Sequence, residues 1–269
     1  MDAKVFERIR KLVYDESGIR IQEGKETMVA ARLAQRLRVL RLPDEVAYLE
    51  YLMGESKQEL VELLDVISTN VTSFFREAQH FDYLGRFLEE QARAGQRRIR
   101  LWCAASSTGE EPYTITICAR EAFERARSSV DWRLLATDIS TRVLAKAEAA
   151  VYEASKLEGL QESIRRRWFE PIRGSEPEAW QVKDELRQHA VFRRLNLAKP
   201  PFPMRGPLDA ILCRNVMIYF DDGMRDRLVG EFHRLLRPNG LLITGLSESL
   251  LRIEGRFERA GPSIYRRIG

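Results

Sequence analysis

Cysteine and histidine are scarce in this chain, three of each among 269 residues. Cys103, Cys118 and Cys213 each lie in an apolar stretch and none is close to another. That excludes a disulfide framework and the paired spacing of a zinc site, so the thiols read as reduced and structural and no metal is expected. His80, His189 and His233 stand far apart, without the spacing of metal ligands or of a catalytic triad. No run approaches the ~18 apolar residues that cross a membrane, and the opening MDAKVFERIRKLVYDESG lacks the apolar stretch of a signal peptide. The expected location is the cytoplasm, with no membrane insertion. Repeats and low-complexity segments are missing too. Neither sign of charge dominates: 44 basic residues face 40 acidic ones, for a net charge of +4 and a pI near 9.0. The basic residues form no RNA-module motif and are not interleaved with aromatics, so nucleic acid is not the expected partner.

What the chain does have is 44% hydrophobic residues, enough for a full core in one large or two unequal domains. The first seventy or so residues read as a helical bundle. Val5, Ile9, Leu12 and Val13 recur at helical spacing, as do Ala30, Leu33, Leu37 and Leu40. After a break at Leu42-Pro43-Asp44, Tyr48, Tyr51 and Leu52 and then Leu60, Leu63, Leu64 and Ile67 give two more stripes. From Val29 to Arg41 the only charged residues are Arg32, Arg36, Arg38 and Arg41. They form either a solvated helix face or an electrostatic dock for an acidic partner.

Beyond an amphipathic helix through Leu84, Phe87 and Leu88, the pattern becomes strand, helix, strand, helix. Strands are expected over 99–105, 132–137, 191–195, 208–213 and 241–244, with helices over 110–123, 141–150 and 223–236, the last stopped by Pro238-Asn239-Gly240. A hairpin closes the chain around Gly261-Pro262. The stretch 152–185, with scattered aromatics, two glycines and two prolines, reads as an insertion. Alternation of this kind describes an α/β protein with a doubly wound parallel sheet, which binds ligands at the carboxyl ends of its strands.

The turn Ala104-Ala-Ser-Ser-Thr-Gly109 follows the first strand with no bulky side chain over its backbone, and Glu110 and Glu111 then open a helix. Two carboxylates at a helix start suit a cationic or neutral ligand better than a phosphate, and S-adenosylmethionine has an amino group, a sulfonium and no phosphate. The single Gly109 falls short of a dinucleotide fingerprint, and Asp138 lies 29 residues beyond it rather than ~20. Asp138, at the second strand's tip, either accepts from ribose hydroxyls or helps Ser140 cap the next helix. Arg214 and Asn215, at the tip of the strand 208–213, suit polar ligand groups or a satisfied loop, and Tyr219 suits the site or packing.

Six ordered segments carry a resemblance. They are Asn70-Val-Thr-Ser-Phe-Phe-Arg-Glu77, Ala104 to Tyr113, Ala136-Thr-Asp-Ile-Ser140, Leu195-Asn-Leu197, Cys213-Arg-Asn-Val-Met-Ile-Tyr-Phe220 and Gly245-Leu-Ser-Glu-Ser-Leu250. Together they resemble the CheR-type chemotaxis receptor methyltransferases over nearly the whole chain. The resemblance implies a Rossmann-like S-adenosylmethionine-dependent methyltransferase domain over 98–269, preceded by a helical receptor-docking domain over 1–73 and a linker helix over 74–97. It also implies a small β-subdomain within Trp168–Arg194, which some members use to grip a receptor's C-terminal peptide. By position, Asn70, Thr72, Arg76, Glu110, Asp138, Asn196, Leu197, Cys213 and Arg214 would hold the cofactor, with Asn215 a neighbour. Arg76 and Tyr219 would flank the methyl group.

The implied reaction esterifies glutamate side chains on cytoplasmic helices of chemoreceptors, and the protein is expected to act as a monomer. A glutamate with a pKa near ~4.3 is already ionised at neutral pH, so no catalytic histidine is needed. Two other functions share the same residues: a non-catalytic S-adenosylmethionine sensor, and a methyltransferase of another substrate such as RNA.

Overall fold

The structure is a computed structural model, which describes every residue except 55–56, 69, 251–252 and 254. Four helices open the chain: α1 (Ala3–Ser17), α2 (Glu26–Leu40), α3 (Glu45–Gly54) and α4 (Lys57–Ile67). Asp2 caps α1, its carboxylate accepting from Lys4 N at 2.8 Å and Val5 N at 3.4 Å. The helical stripes converge on one core containing Val5, Ile9, Val13, Val29, Leu33, Tyr48, Leu63 and Ile67. Gly18 ends α1 at φ 69° and lies against Met224, with no room for a Cβ. This contact seats the bundle on the rest of the molecule.

The remaining elements are α5 (Gln79–Arg93), β1 (Arg98–Cys103), α6 (Glu110–Arg125), β2 (Asp131–Asp138), α7 (Thr141–Ala149), β3 (Val151–Glu153), α8 (Glu162–Trp168), β4 (Phe169–Ile172), β5 (Ala179–Val182), α9 (Asp184–Arg187), β6 (Ala190–Arg194), β7 (Leu208–Cys213), α10 (Asp222–Leu235), β8 (Leu236–Thr244), β9 (Phe257–Gly261) and β10 (Ile264–Arg267). Seven strands make one sheet in the order β6-β2-β1-β7-β8-β10-β9. It is parallel from β6 to β8 and ends in the antiparallel hairpin of β9 and β10. The chain starts in the middle at β1, winds outward through β2 and β6, and then crosses back to β7. The switch point between β1 and β7 is where such sheets bind ligands.

Alternation along the strands splits the core into two layers. Ile99, Leu101, Cys103, Leu134 and Leu212 face α5 and α6. Trp102, Ile211 and Leu242 face α10. Trp102 meets Phe202 and Phe232 edge-on at 5.5 Å between centroids, and its indole N–H donates to Thr137 Oγ1 at 2.9 Å. Helix α5, read from the sequence as a linker, lies in the same layer as α6.

A second sheet of three antiparallel strands, β3-β5-β4, packs beside α6. It occupies 151–182. Of the span 168–194, β4 and β5 belong to it, whereas β6 pairs with β2 in the large sheet. The expected stop at Pro238-Asn239-Gly240 is displaced. Helix α10 ends at Leu235, and those three residues lie within β8, where the register to β7 shifts. Asn239 has φ 61°, and a Cβ on Gly240 would sit 2.9 Å from the Arg237 carbonyl oxygen, so the triplet makes a bulge. Among the described residues no helix is long and apolar enough to cross a membrane.

Candidate functional site

A cleft opens between the helical bundle and the carboxyl ends of β1, β2 and β7. The bundle side contributes Ser17, Ile19, Ile67, Ser68, Asn70, Val71, Thr72 and Arg76, and the sheet side contributes Ala104, Ala105, Ser107, Asp138, Asn196, Leu197, Asn215 and Tyr219. Two contacts hold the sides at this spacing: Arg20 N donates to Tyr219 O at 2.9 Å, and Asn196 Nδ2 donates to Glu16 O at 2.5 Å.

Asp138 sits at the tip of β2 and is 8% exposed. Its Oδ2 accepts from Ser107 N at 2.9 Å and its Oδ1 from Ser140 N at 3.0 Å. Ser140 Oγ caps α7 by accepting from Val143 N at 3.3 Å. Asp138 therefore ties the β1 turn to the start of α7 while still facing the cleft, and each oxygen keeps acceptor capacity. Burial pushes its carboxyl above the usual range, against the lowering effect of those backbone donors. Gly109 begins α6 at φ 99°, and a Cβ there would lie 2.5 Å from Tyr152 Oη and 2.9 Å from Ala147. Only glycine brings the turn this close to α7.

Arg214 is the hub of the site. Its side chain is fully buried, donating to Glu111 Oε2 and to the Arg76 carbonyl at 2.5 Å each, to Glu77 Oε2 at 3.1 Å and to His80 Nδ1 at 3.2 Å. The guanidinium also lies 5.0 Å from the Phe81 ring centroid. Burial works against its charge, but Glu111 and Glu77 outweigh that and hold its pKa above the ordinary arginine value. Glu77 is buried enough to be pushed up, yet Arg214, Asn215 and Leu246 N pull it below the usual carboxylate range. Glu111 goes up because burial dominates. Glu248 closes the neighbouring loop by accepting from Asn215 N at 2.6 Å, Gly245 N at 2.7 Å and Ile218 N at 3.2 Å. A Cβ on Gly245 would lie 2.6 Å from that carboxylate and 2.7 Å from Asn215 Nδ2.

The cleft thus brings together Asn70, Thr72, Arg76, Asp138, Asn196, Leu197, Arg214, Asn215 and Tyr219. Glu110 and Cys213 are not among its walls. Glu110 is 1% exposed, accepts from Thr108 Oγ1 at 2.6 Å and lies 3.7 Å from Lys156 Nζ. Glu111, one residue and about 100° further round the helix, takes the place at the cleft. Cys213 is fully buried in β7, packed in the layer of Trp102. Arg214 contributes differently from expectation: what little exposure it keeps is main chain, because its donors are spent inside the protein. Ile19, Ile139 and Val216 line the cleft without any local sequence signal.

On α2, Arg38 and Arg41 are exposed. Arg36 is instead paired within the bundle, 2.6 Å from Glu59 and 3.1 Å from Glu62, with Tyr48 Oη donating to Glu59 at 2.8 Å. Arg32 donates to the Ile67 carbonyl at the cleft's edge. Among the described residues no cluster of three or more histidine, cysteine or acidic side chains could hold a metal.

Two descriptions of one family match the chain end to end: "CheR methyltransferase, all-alpha domain" over residues 4–68 and "CheR methyltransferase, SAM binding domain" over residues 70–265. The chain belongs to the CheR methyltransferase family. The chemotaxis protein methyltransferase of Salmonella typhimurium is 39% identical, with 97% of this chain and 88% of that protein covered. Chemotaxis protein methyltransferase 2 of Pseudomonas aeruginosa is 38% identical, covering 97% of this chain and 91% of the relative. The chemotaxis protein methyltransferase of Borreliella burgdorferi is 34% identical, at 97% and 93%.

The boundary between the two CheR regions falls at Asn70, where the bundle meets the cleft. The residues present fit S-adenosylmethionine. Asp138 has acceptors left for ribose hydroxyls, Ile19, Ile139 and Leu197 give apolar walls for a base, and the small side chains of Ala104 and Ala105 leave the strand tip open. A phosphate at the tips of β1 and β2 would face the carboxylates of Asp138 and Glu111, since Arg214 spends its side chain inside the protein and Arg76 lies on the bundle side of the cleft. The CheR chain is accordingly an S-adenosylmethionine-dependent methyltransferase.

Proposed function

We propose that the protein transfers the methyl group of S-adenosylmethionine to glutamate side-chain carboxylates on the cytoplasmic helices of chemoreceptors, forming methyl esters. The observation that carries this reading is the lack of a free general base at the cleft. Among its described walls there is no histidine, lysine or cysteine. Its two carboxylates are committed, Asp138 to backbone donors and, with the acceptors left, to the cofactor's ribose, and Glu111 to Arg214 and to the Cys103 thiol at 3.4 Å. A nucleophile here must arrive already deprotonated, and a carboxylate with a pKa near ~4.3 does so at neutral pH.

Bound S-adenosylmethionine supplies a methyl carbon on a sulfonium, which leaves as a neutral thioether. The protein's work is to align a carboxylate oxygen with that methyl, reacting atoms ~3–3.5 Å apart. Arg76 holds the acceptor. Its Nη1 donates to the Val71 carbonyl at 3.0 Å, which fixes the side chain along the cleft wall and leaves further donors for a carboxylate. Tyr219 walls the methyl's path, its backbone pinned by Arg20. Esterification removes one negative charge from the receptor helix, the electrostatic change that sensory adaptation would read. Exposed Arg38 and Arg41 on α2, with Arg32 at the cleft's edge, favour an approaching acidic helix. Such helices place the reaction in the cytoplasm.

The test is to incubate the purified protein with methyl-labelled S-adenosylmethionine and a chemoreceptor cytoplasmic fragment from the same cell. Label on the fragment is expected. Cofactor binding with no label on any receptor of that cell would overturn the reading in favour of a sensor, and label on RNA alone in favour of another acceptor.

A further inference from the structure

Parallel sheets are ordinarily covered by helices on both faces. Here the connection between β6 and β7, residues 195–207, carries no helix. On the α10 side the sheet is therefore bare over the amino-terminal halves of β1, β2 and β6. Register places Arg100 beside Arg133 and Leu135 beside Val191 on this face. The result is a groove with a floor of Leu135, Val191 and Leu208 and walls carrying five arginines, Arg98, Arg100, Arg133, Arg205 and Arg237, against one carboxylate, Asp209.

That carboxylate is spent. Asp209 accepts from Arg237 Nε at 2.6 Å, Gln96 Nε2 at 2.5 Å and Arg100 N at 2.7 Å. Asp131 at the rim pairs with Arg100 at 2.6 Å, and Arg133 and Arg98 pull its pKa down as well. Among the described residues, Arg98, Arg133 and Arg205 make no ion pair within 4.0 Å, and Arg133 donates instead to the Gln188 carbonyl at 3.2 Å. Arg205 is held in place: a Cβ on the adjacent Gly206 would lie 2.4 Å from the Leu235 carbonyl oxygen, so this loop is pressed onto the end of α10. A solvated sheet face normally balances its signs to limit self-repulsion, and here five arginines face two carboxylates, both already paired.

We infer that the groove is a docking surface for an acidic segment of a partner protein, separate from the catalytic cleft and from α2. Charge complementarity selects the sign. The aliphatic floor selects a peptide over a nucleic acid: among the described residues no aromatic side chain lines the groove to stack a base, whereas Leu135 and Val191 suit apolar side chains set between carboxylates. The inference stands whatever the methyl acceptor is.

The test is fluorescence anisotropy of the full chain with a fluorescein-labelled peptide of alternating glutamate and leucine. Three proteins are compared: the unchanged chain, an Arg98→Glu/Arg205→Glu variant and an Arg38→Glu/Arg41→Glu variant. Neither Arg98 nor Arg205 uses its side chain in a described hydrogen bond, so the first variant should keep the melting temperature of the parent. The expected result is at least about tenfold weaker peptide binding in that variant, with parental binding weakened by salt and little changed by the α2 reversal. Equal binding by the Arg98→Glu/Arg205→Glu variant, loss confined to the α2 variant, or no peptide binding by the parent at low salt would each overturn the inference. Tighter binding of a single-stranded oligonucleotide of equal charge would replace the peptide with nucleic acid and overturn it too.

Discussion

The Arg214 guanidinium donates to the backbone carbonyl of Arg76, so a buried cation at the tip of β7 sets the position of the residue proposed to meet the acceptor. Glu77 completes the arrangement by binding Arg214, Asn215 and Leu246 N at once. Replacing Arg76 with alanine should lower turnover by about 100-fold or more while the fold persists, because only the group at the reacting centre is lost. Glu77→Gln should lower kcat by roughly tenfold to a hundredfold with little change in the KM for S-adenosylmethionine, since misplacing Arg76 by ~1 Å costs on that order. Arg214→Lys should cost stability, on the order of 3–5 kcal/mol in denaturant unfolding, because one ammonium cannot serve Glu111, Glu77, His80 and the Arg76 carbonyl together.

Asp138→Asn tests the acid at the tip of β2. The asparagine keeps one acceptor for the backbone donors but loses the charge, so S-adenosylmethionine affinity by calorimetry should fall roughly 10- to 100-fold, the worth of a charged hydrogen bond. Stability at neutral pH should fall by about 1–3 kcal/mol, because the amide NH2 must face Ser107 N or Ser140 N and leaves that donor unpaired, a loss that outweighs relief from ionising a buried carboxyl.

His80 gives the stability a pH dependence. Burial first, then Arg214, lowers its pKa against the opposing pull of Glu77 and the Pro262 carbonyl. Nδ1 faces the Arg214 Nε–H at 3.2 Å, with Glu77 at 3.3 Å, and Nε2 lies 3.2 Å from the Pro262 carbonyl oxygen, an arrangement that suits a neutral ring carrying its proton on Nε2. A depressed pKa means that the unfolded chain takes up a proton first as pH falls. The contribution is fully present above the unfolded value of ~6.5 and lost progressively below it. The melting temperature should drop from pH 7 to pH 5, and His80→Gln should flatten that drop.

On α2, the four arginines should divide. Arg38→Glu with Arg41→Glu should slow receptor methylation and reduce its salt dependence without changing stability. Arg36→Glu should instead destabilise the bundle, by about 3–5 kcal/mol, since it sets a third carboxylate against Glu59 and Glu62. Circular dichroism on heating separates the two outcomes.

Much of this site was legible because it lies at places that chain order alone defines. A small-residue turn after the first strand and an acid at the end of the second locate a cleft in any doubly wound sheet, and Asp138 and Ala104–Ala105 are there. Side-chain phase was less legible. Glu110 and Glu111 are neighbours in sequence and point to different surroundings, which only the seating of α6 decides. Arg214 is a ligand-like residue by type, yet Glu77, His80, Glu111 and the Arg76 carbonyl reach it from distant segments and take four of its five N–H donors. Ile19 enters the cleft only because Gly18 lets α1 rest on Met224. The insertion was unreadable since its short strands, three or four residues each, carry too few alternations to show a period.

The central claim is the bond formed, and its stability in alkali tests it most directly. A receptor fragment labelled by this protein should release its label as volatile methanol in mild base, and replacing the labelled glutamates with alanine should abolish incorporation. Label that survives base, on nitrogen, sulfur or an ether oxygen, would contradict a carboxyl methyl ester.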